Sequence, residues 1–169
     1  LEILISDNNS KDETVSEVEK TIEASKPKNG SIKLLKNVKN KGAASNFWQV
    51  FDKSDSEFFM WLGSHDLISE KYIFHGIDHM IQNQKTSMFC GTHRGLTPNE
   101  KIIEKDFPYN FCQENPIERY LSSMIKLQNC YIFHSIFRRN TLAGYSRTEV
   151  PSGDHILISR WLWSGKLHQ

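Results

Sequence analysis

An apolar run that ends in small and polar residues is the feature that most constrains how this chain folds. Residues 58–66 read FFMWLGSHD, so an unbroken apolar stretch leads directly into Gly63, Ser64, His65 and Asp66. An apolar run of strand length without alternation predicts a strand buried on both faces. In open α/β sheets, ligands bind just beyond the carboxyl ends of such strands. The run therefore predicts that His65 and Asp66 face a ligand or a metal ion.

Strand and helix patterns alternate along the first half of the chain. Strands are predicted at 1–6, 32–35, 57–62 and 87–92, with helices between them, including 43–52 and 69–82. This alternation predicts an α/β fold with a Rossmann-like, mostly parallel or mixed sheet and helices on both faces. Beyond residue 93 the pattern weakens into a long loop at 94–115. A helix at 117–125, a strand at 131–137 and a final helix opening at Asp154 are expected to follow.

Length, charge and cysteine content limit the classes of function. The 169 residues predict a single domain over 1–169, and a net charge of +1 gives no electrostatic basis for binding nucleic acid. No apolar stretch approaches the roughly 20 residues that a membrane helix needs, and peripheral membrane association stays open. The three cysteines form no Cys-x-x-Cys pair, which favours reduced thiols and a cytoplasmic location.

Two polar segments flank the second predicted strand. SDNNSKDET at 6–14 places Asp7 after a strand and before a helix, where a carboxylate can accept from a nucleobase N–H or a ribose hydroxyl. The alternative is that Asp7 serves only the geometry of the turn. NKGAASN at 40–46 opens a helix with a glycine, which allows close approach of backbone to an anionic group at the helix N-terminus.

Two further positions carry candidate chemistry. Asp154 is a carboxylate at the start of a predicted helix, where it can act as a helix N-cap and still present an oxygen to a ligand. Arg138 follows the strand predicted at 131–137 and can pair with a diphosphate through two hydrogen bonds. Arg139 is the alternative for that role, since either arginine can instead be an exposed residue at a helix start.

These segments, in this order, resemble glycosyltransferase family 2, nucleotide-sugar enzymes of GT-A fold. SDNNSKDET is similar to the family's Asp-Asp-Gly-Ser-x-Asp-x-Thr turn, and NKGAASN to its Asn-x-Gly-x-x-x-Asn segment. LGSHDL at 62–67 is similar to a strand end that reads Leu-Gly-Asp-Asp-Asp-Leu, with Ser64 and His65 in place of two aspartates. Gly153 replaces the glutamate of a Glu-Asp pair. Against the family pattern, a first strand and a C-terminal extension are expected to lie outside these 169 residues.

The resemblance implies an inverting enzyme that transfers a sugar from a nucleoside-diphosphate sugar to a glycan or lipid-linked hydroxyl, in cell-surface polysaccharide synthesis. It implies Mn²⁺ or Mg²⁺ at Asp66, with His65 as a second ligand or as a structural residue, and Asp154 as the general base. The implied nucleotide-sugar contacts are Asp7, Asn8, Asn40, Gly42, Asn46, Ser64 and Arg138. Two alternatives remain: a non-catalytic nucleotide-sugar or glycan-binding relic of this fold, and an unrelated doubly wound domain such as a receiver module.

Overall fold

The computed structural model describes residues 1–25, 27, 29–97, 99, 102–104, 109, 111–144 and 153–169. The chain divides into two compact units, Leu1–Asp55 and Ser56–Gln169. Both combine strands with helices, so the predicted α/β class is confirmed. No helix among the described residues is long and apolar enough to cross a membrane.

The first unit is a β-α-β-α arrangement around two parallel strands. Its elements are β1 Glu2–Asp7, α1 Thr14–Ser25, β2 Ser31–Lys36 and α2 Ala43–Lys53. The register runs from Glu2 opposite Ser31 to Asp7 opposite Lys36. Because parallel strands point the same way, the loop after β1 and the loop after β2 leave from one edge. The polar segments at 6–14 and 40–46 therefore meet there.

The second unit is built on a four-stranded sheet of mixed direction. Its elements are β3 Phe58–Phe59, α3 Tyr72–Gln82, β4 Thr86–Phe89, β5 Arg94–Leu96, β6 Ile102–Glu104, α4 Pro116–Lys126, a 3-10 helix at Tyr131–His134, β7 Ile136–Arg138, α5 Arg139–Leu142, α6 Gly153–Ser164 and β8 Lys166–His168. The strand order is β3-β7-β4-β8. β7 runs antiparallel to both β3 and β4, and β4 runs parallel to β8.

Stacked aromatic rings form the core of the second unit. The Trp61 ring stacks on Phe133 with centroids 5.0 Å apart and on Trp161 with centroids 6.2 Å apart. Phe137 meets Trp161 edge-on at 4.9 Å. Trp161 belongs to α6 and Phe133 to the 3-10 helix, so this core ties both elements to the apolar run 58–62. The predicted burial of that run is confirmed at Trp61, which is almost fully buried, and is wrong at Leu62, which is exposed.

Three sequence predictions of secondary structure need correction. The strand predicted at 57–62 is only β3, because the short β7 offers backbone partners to Phe58 and Phe59 alone. The strand predicted at 131–137 begins as a 3-10 helix, in which the Phe133 N–H donates to the Cys130 carbonyl over 2.9 Å. The loop predicted at 94–115 contains an antiparallel hairpin of β5 and β6 among its described residues.

Candidate functional site

Asparagine side chains join the two loops at the carboxyl edge of β1 and β2. Asn8 Nδ2 donates to Asn40 Oδ1 over 3.0 Å and to the Gly42 carbonyl over 3.2 Å. Asn8 Oδ1 accepts from the Lys41 N–H over 2.9 Å, and Asn40 Oδ1 accepts from the Gly42 N–H over 2.8 Å. These bonds hold the loop that precedes α2 against the turn that follows β1.

Asn46, on the first turns of α2, continues the same network toward β1. Its Nδ2 donates to the Ser6 carbonyl over 3.0 Å, and its Oδ1 accepts from Ser6 Oγ over 2.7 Å. Asn37 Nδ2 donates to Asn46 Oδ1 over 3.0 Å and to Asn8 Oδ1 over 3.3 Å. Asn8, Asn37, Asn40 and Asn46 are the asparagine cluster. The sequence analysis missed Asn37, although its place just after a parallel strand was a usable signal.

The Asp7 carboxylate lies beside this cluster and is engaged by its own turn. It accepts from the Asn9 N–H over 3.0 Å, from the Ser10 N–H over 3.2 Å, and from the Ser10 hydroxyl. Asn9 has a φ of 68°, in the left-handed region that turns such N–H groups back toward the carboxylate. Asp7 is only 8% exposed. The structure thus gathers Asp7 with Asn8, Asn40, Gly42 and Asn46 and gives Asp7 a turn-forming role.

The second unit presents a different kind of turn at 63–66, here named the acidic turn. The Asp66 N–H donates to the Gly63 carbonyl over 3.1 Å. A Cβ at Gly63 would lie 2.6 Å from Asp66 Oδ2, so a glycine is what lets this carboxylate fold back over the turn. Ser64 is exposed at the tip.

The Asp66 carboxylate is open to a ligand. Its side chain is 39% exposed, and within the part of the chain that the structure describes it accepts no hydrogen bond. His65 Nε2 lies 3.8 Å from Asp66 Oδ1 on a side chain that is 87% exposed. An ion with ligand distances of about 2.0–2.2 Å reaches two ligand atoms up to about 4 Å apart. A ligand set of the Asp66 carboxylate, with or without the His65 imidazole, suits Mn²⁺ or Mg²⁺ that also binds phosphate oxygens and water.

Aromatic and imidazole rings connect the acidic turn to the 3-10 helix. Burial and the nearby His134 lower the pKa of His93, while the charge of Asp66 opposes that shift. The His93 ring stacks on Tyr131, with centroids 4.5 Å apart and planes 13° apart. His134 itself contacts the Trp61 carbonyl through Nδ1 at 3.2 Å. Asp66 and the residues around Tyr131 therefore share one region of the second unit.

Asp154 lies next to that region, in the first turn of α6. Gly153 is already helical, so Asp154 lies inside the first turn and not at the N-cap position that the sequence offered as one alternative. Its Oδ1 accepts from the His155 N–H over 2.9 Å and lies 3.6 Å from His155 Nδ1. Partial burial raises the pKa of Asp154, but hydrogen bonds from the Cys130 thiol and the His155 N–H outweigh it and the net pKa is lowered. The carboxylate is therefore ionised at neutral pH.

Cys130 is the residue at this place that sequence reasoning did not find. Its Sγ lies 3.2 Å from His155 Nδ1. Burial and the adjacent Asp154 raise the pKa of the thiol to about 12, so without a ligand it stays protonated. A single cysteine 24 positions before Asp154 gives no spacing signal, and only the tertiary fold brings the two together.

Arg138 is placed away from a ligand-binding role. Its Nε donates to the Thr86 carbonyl over 3.0 Å and its Nη2 donates to the Met80 carbonyl. Its Nη1 lies 3.2 Å from Glu57 Oε1, and the guanidinium lies over the Phe58 ring at 5.2 Å. These contacts lock α3, β3 and β4 around β7, and leave the guanidinium little capacity for a diphosphate.

Comparison with known protein families identifies the family of the chain. The model of the family described as glycosyl transferase family 2 matches residues 1–147. That stretch includes the asparagine cluster and the acidic turn, and it ends before Asp154. A search of curated proteins finds no match to the chain. Since the family model covers most of the 169 residues, the chain belongs to glycosyl transferase family 2 and has the GT-A fold of that family.

Proposed function

We propose that the protein transfers a sugar, with inversion, from a nucleoside-diphosphate sugar to a hydroxyl of a glycan or lipid-linked acceptor in cell-surface polysaccharide synthesis. The single observation that carries the proposal is the Asp66 carboxylate, which is half-exposed and accepts no hydrogen bond among the described residues. A carboxylate kept open in the loop that follows β3 is suited to a ligand rather than to the fold.

The asparagine cluster and α2 supply groups suited to the nucleotide end of the donor. Gly42 has a φ of 83° and immediately precedes α2, so the chain enters the helix without a side chain at that point. The first N–H groups of a helix lack partners within the helix and favour phosphate oxygens. Asn8, Asn40 and Asn46 fix this loop, and we propose that they position it rather than discriminate the base.

Asp66 would hold the divalent ion, with His65 as a second ligand and Ser64 beside the phosphates. A bound Mn²⁺ or Mg²⁺ would neutralise the negative charge that develops on the departing diphosphate. The chain's own contribution is the geometry of the acidic turn. Gly63 makes room for the Asp66 carboxylate, so its oxygens are held over the acidic turn, in the loop between β3 and α3, without a competing donor among the described residues.

Asp154 is the proposed general base. Its ionised carboxylate accepts the proton of the acceptor hydroxyl as that oxygen bonds to the anomeric carbon, and the bond from that carbon to the diphosphate oxygen breaks. Attack from the face opposite the leaving group inverts the configuration. General-base help of this kind contributes on the order of 10²–10⁴-fold to rate. The free thiols of Cys90, Cys112 and Cys130 support a cytoplasmic location.

A donor panel tests this proposal. The purified protein is given UDP-, GDP- and dTDP-sugars with Mn²⁺ and a mixture of candidate acceptors, and release of nucleoside diphosphate is measured. We expect release from one donor class that depends on acceptor and metal, and a product of inverted anomeric configuration by NMR. Tight donor binding without release would support the non-catalytic relic instead and remove the enzymatic proposal.

A further inference from the structure

Cys130, Asp154 and His155 bring three different metal-binding groups to one point in the second unit. Cys130 Sγ lies 3.2 Å from His155 Nδ1 and 3.6 Å from Nε2. Asp154 Oδ1 lies 3.6 Å from His155 Nδ1. One ligand atom from each residue lies within 4.8 Å of the other two. This thiol–carboxylate–imidazole cluster is separate from the carboxylate of Asp66.

The spacing of these atoms is that of a tetrahedral zinc site. Zinc bonds of about 2.0–2.3 Å to nitrogen, oxygen and sulfur place tetrahedral ligand atoms about 3.3–3.8 Å apart. The 3.6 Å between Asp154 Oδ1 and His155 Nδ1 lies in that range. The 3.2 Å between Cys130 Sγ and His155 Nδ1 is about 0.3 Å shorter than zinc-bound sulfur and nitrogen atoms require, so side-chain rotations that move the thiol outward complete the site. A thiolate also selects Zn²⁺ over Mg²⁺ or Mn²⁺, which prefer oxygen.

The ligands are carried by elements that the core holds in place. Cys130 is the residue immediately before the 3-10 helix, whose Ile132 is fully buried. Asp154 and His155 lie on the first turn of α6, whose Trp161 is fully buried. Ligands on packed elements lose little conformational freedom when a metal binds.

A cysteine nucleophile activated by histidine is the competing explanation, and the geometry disfavours it. In such a triad the carboxylate orients one ring nitrogen while the opposite nitrogen takes the nucleophile's proton. Here Nδ1 of His155 is the nitrogen nearest to Cys130 Sγ, and the same nitrogen faces Asp154 Oδ1. Three ligand atoms that converge on one point are more typical of a cation site than of a proton relay to a cysteine nucleophile.

We propose that Cys130, Asp154 and His155 bind Zn²⁺ or another thiophilic divalent ion, with a fourth position open to water or substrate. Binding replaces the thiol proton, which is released to solvent, with the metal. One consequence rests on the proposed function: Zn²⁺ would occupy the oxygen of Asp154 that takes the acceptor's proton, and would therefore inhibit transfer.

Cobalt absorption tests the site without reference to activity. Co²⁺ alone is titrated into the purified protein, and a thiolate-to-cobalt charge-transfer band is followed, then displaced with Zn²⁺. We expect one equivalent of Co²⁺ to give the band in the wild type. The band should be lost in Cys130→Ser. In His155→Ala the Co²⁺ affinity should fall by more than about 10–100-fold, which is the loss expected when only a hydrogen-bond partner of a metal ligand is removed. Cys112→Ser, at another free cysteine of the same unit, and Asp66→Asn should keep the band.

The outcomes separate the metal site from the enzymatic proposal. Absence of the band in the wild type, or its survival in Cys130→Ser, overturns the site. If Cys130→Ser does not fold, as judged by its melting curve, unchanged Co²⁺ affinity in His155→Ala overturns it. Zn²⁺ should slow nucleoside-diphosphate release by the wild type and by Cys112→Ser but not by Cys130→Ser. If the wild type binds Zn²⁺ but its transfer rate does not change, the metal site stands and Asp154 is not the general base.

Discussion

Asp7 and Asp66 both follow strand-forming apolar segments, yet the fold uses their carboxylates differently. Two residues after Asp7, Asn9 adopts a left-handed backbone conformation. The N–H groups of residues 9 and 10 both donate to the Asp7 carboxylate. Asp66 comes last in its turn, and no described residue donates to its side chain. The difference shows that the position of an aspartate in its turn matters. Asp7 opens its turn, so the N–H groups that follow bind its carboxylate, whereas Asp66 closes its turn and its carboxylate stays available to a ligand.

The largest expected effect concerns Asp154, the proposed general base. Asp154→Asn should lower kcat by about 10²–10⁴-fold, since an amide cannot accept the acceptor's proton. The KM for the donor should stay close to the wild-type value, because the proposal assigns the donor's phosphates to the acidic turn and not to Asp154. Steady-state kinetics with Glu118→Gln, an equivalent change on the first turn of α4, provides the control. Turnover within a few-fold of the wild type would return Asp154 to a purely structural role.

Stability should separate Asp7 from Asp66. Asp7→Ala leaves the N–H groups of residues 9 and 10 and the Ser10 hydroxyl without their acceptor, and should cost about 1–3 kcal/mol of unfolding free energy. Asp66→Ala removes no hydrogen bond among the described residues and should change stability by less than about 0.5 kcal/mol. Urea denaturation of both variants measures the difference. Equal losses of unfolding free energy in the two variants would contradict the distinction between a structural Asp7 and an available Asp66.

Gly63 offers a way to move the Asp66 carboxylate without deleting it. In Gly63→Ala the new Cβ would lie 2.6 Å from Asp66 Oδ2, so the side chain must swing away while the backbone stays. We expect Mn²⁺-dependent nucleotide affinity to fall on the order of tenfold, the cost of misorienting a metal ligand. Gly95→Ala is the control, since its Cβ would meet nothing closer than 3.8 Å. Unchanged affinity in Gly63→Ala would show that the position of Asp66 does not matter.

The smallest expected effect is a pH dependence around His93. Its pKa is lowered in the folded state, so His93 contributes stability that is present above the unfolded value of about 6.5 and is lost as pH falls through the folded pKa. Asp66 partly opposes this lowering. Asp66→Asn should therefore shift the His93 pKa further down, which NMR titration of the imidazole protons measures. An unmoved or raised pKa would mean that Asp66 lies too far from His93 to act on it.

Sequence patterns located the strands of the first unit, but not where β3 and β4 end or which partners the polar side chains beyond the strands have. The similarity of 6–14 and 40–46 to family motifs singled out Asn8, Asn40 and Asn46, and the parallel pairing of β1 and β2 is what brings them together. Burial of Trp61 followed from the apolar run, whereas the length of β3 did not, because it depends on where β7 ends.

Positions fixed by tertiary contact could not be predicted. Arg138 looked available for a phosphate, and only the fold shows that the Thr86 and Met80 carbonyls take its guanidinium. Cys130 approaches Asp154 because Phe133 and Trp161 pack in one core, a contact 28 positions apart in the chain. No local periodicity or spacing encodes either arrangement.

Calorimetry of nucleotide binding tests most directly the claim that the acidic turn holds the metal and the diphosphate. UDP, GDP and dTDP are titrated into the wild type, Asp66→Asn and Asp78→Asn, with Mn²⁺ or with chelator. Asp78, an exposed aspartate on α3 of the same unit, is the matched control. The account predicts that Mn²⁺ tightens binding of one nucleotide at least about tenfold in the wild type and in Asp78→Asn, and has no effect in Asp66→Asn. Equal metal dependence in Asp66→Asn, or none in the wild type, would contradict it.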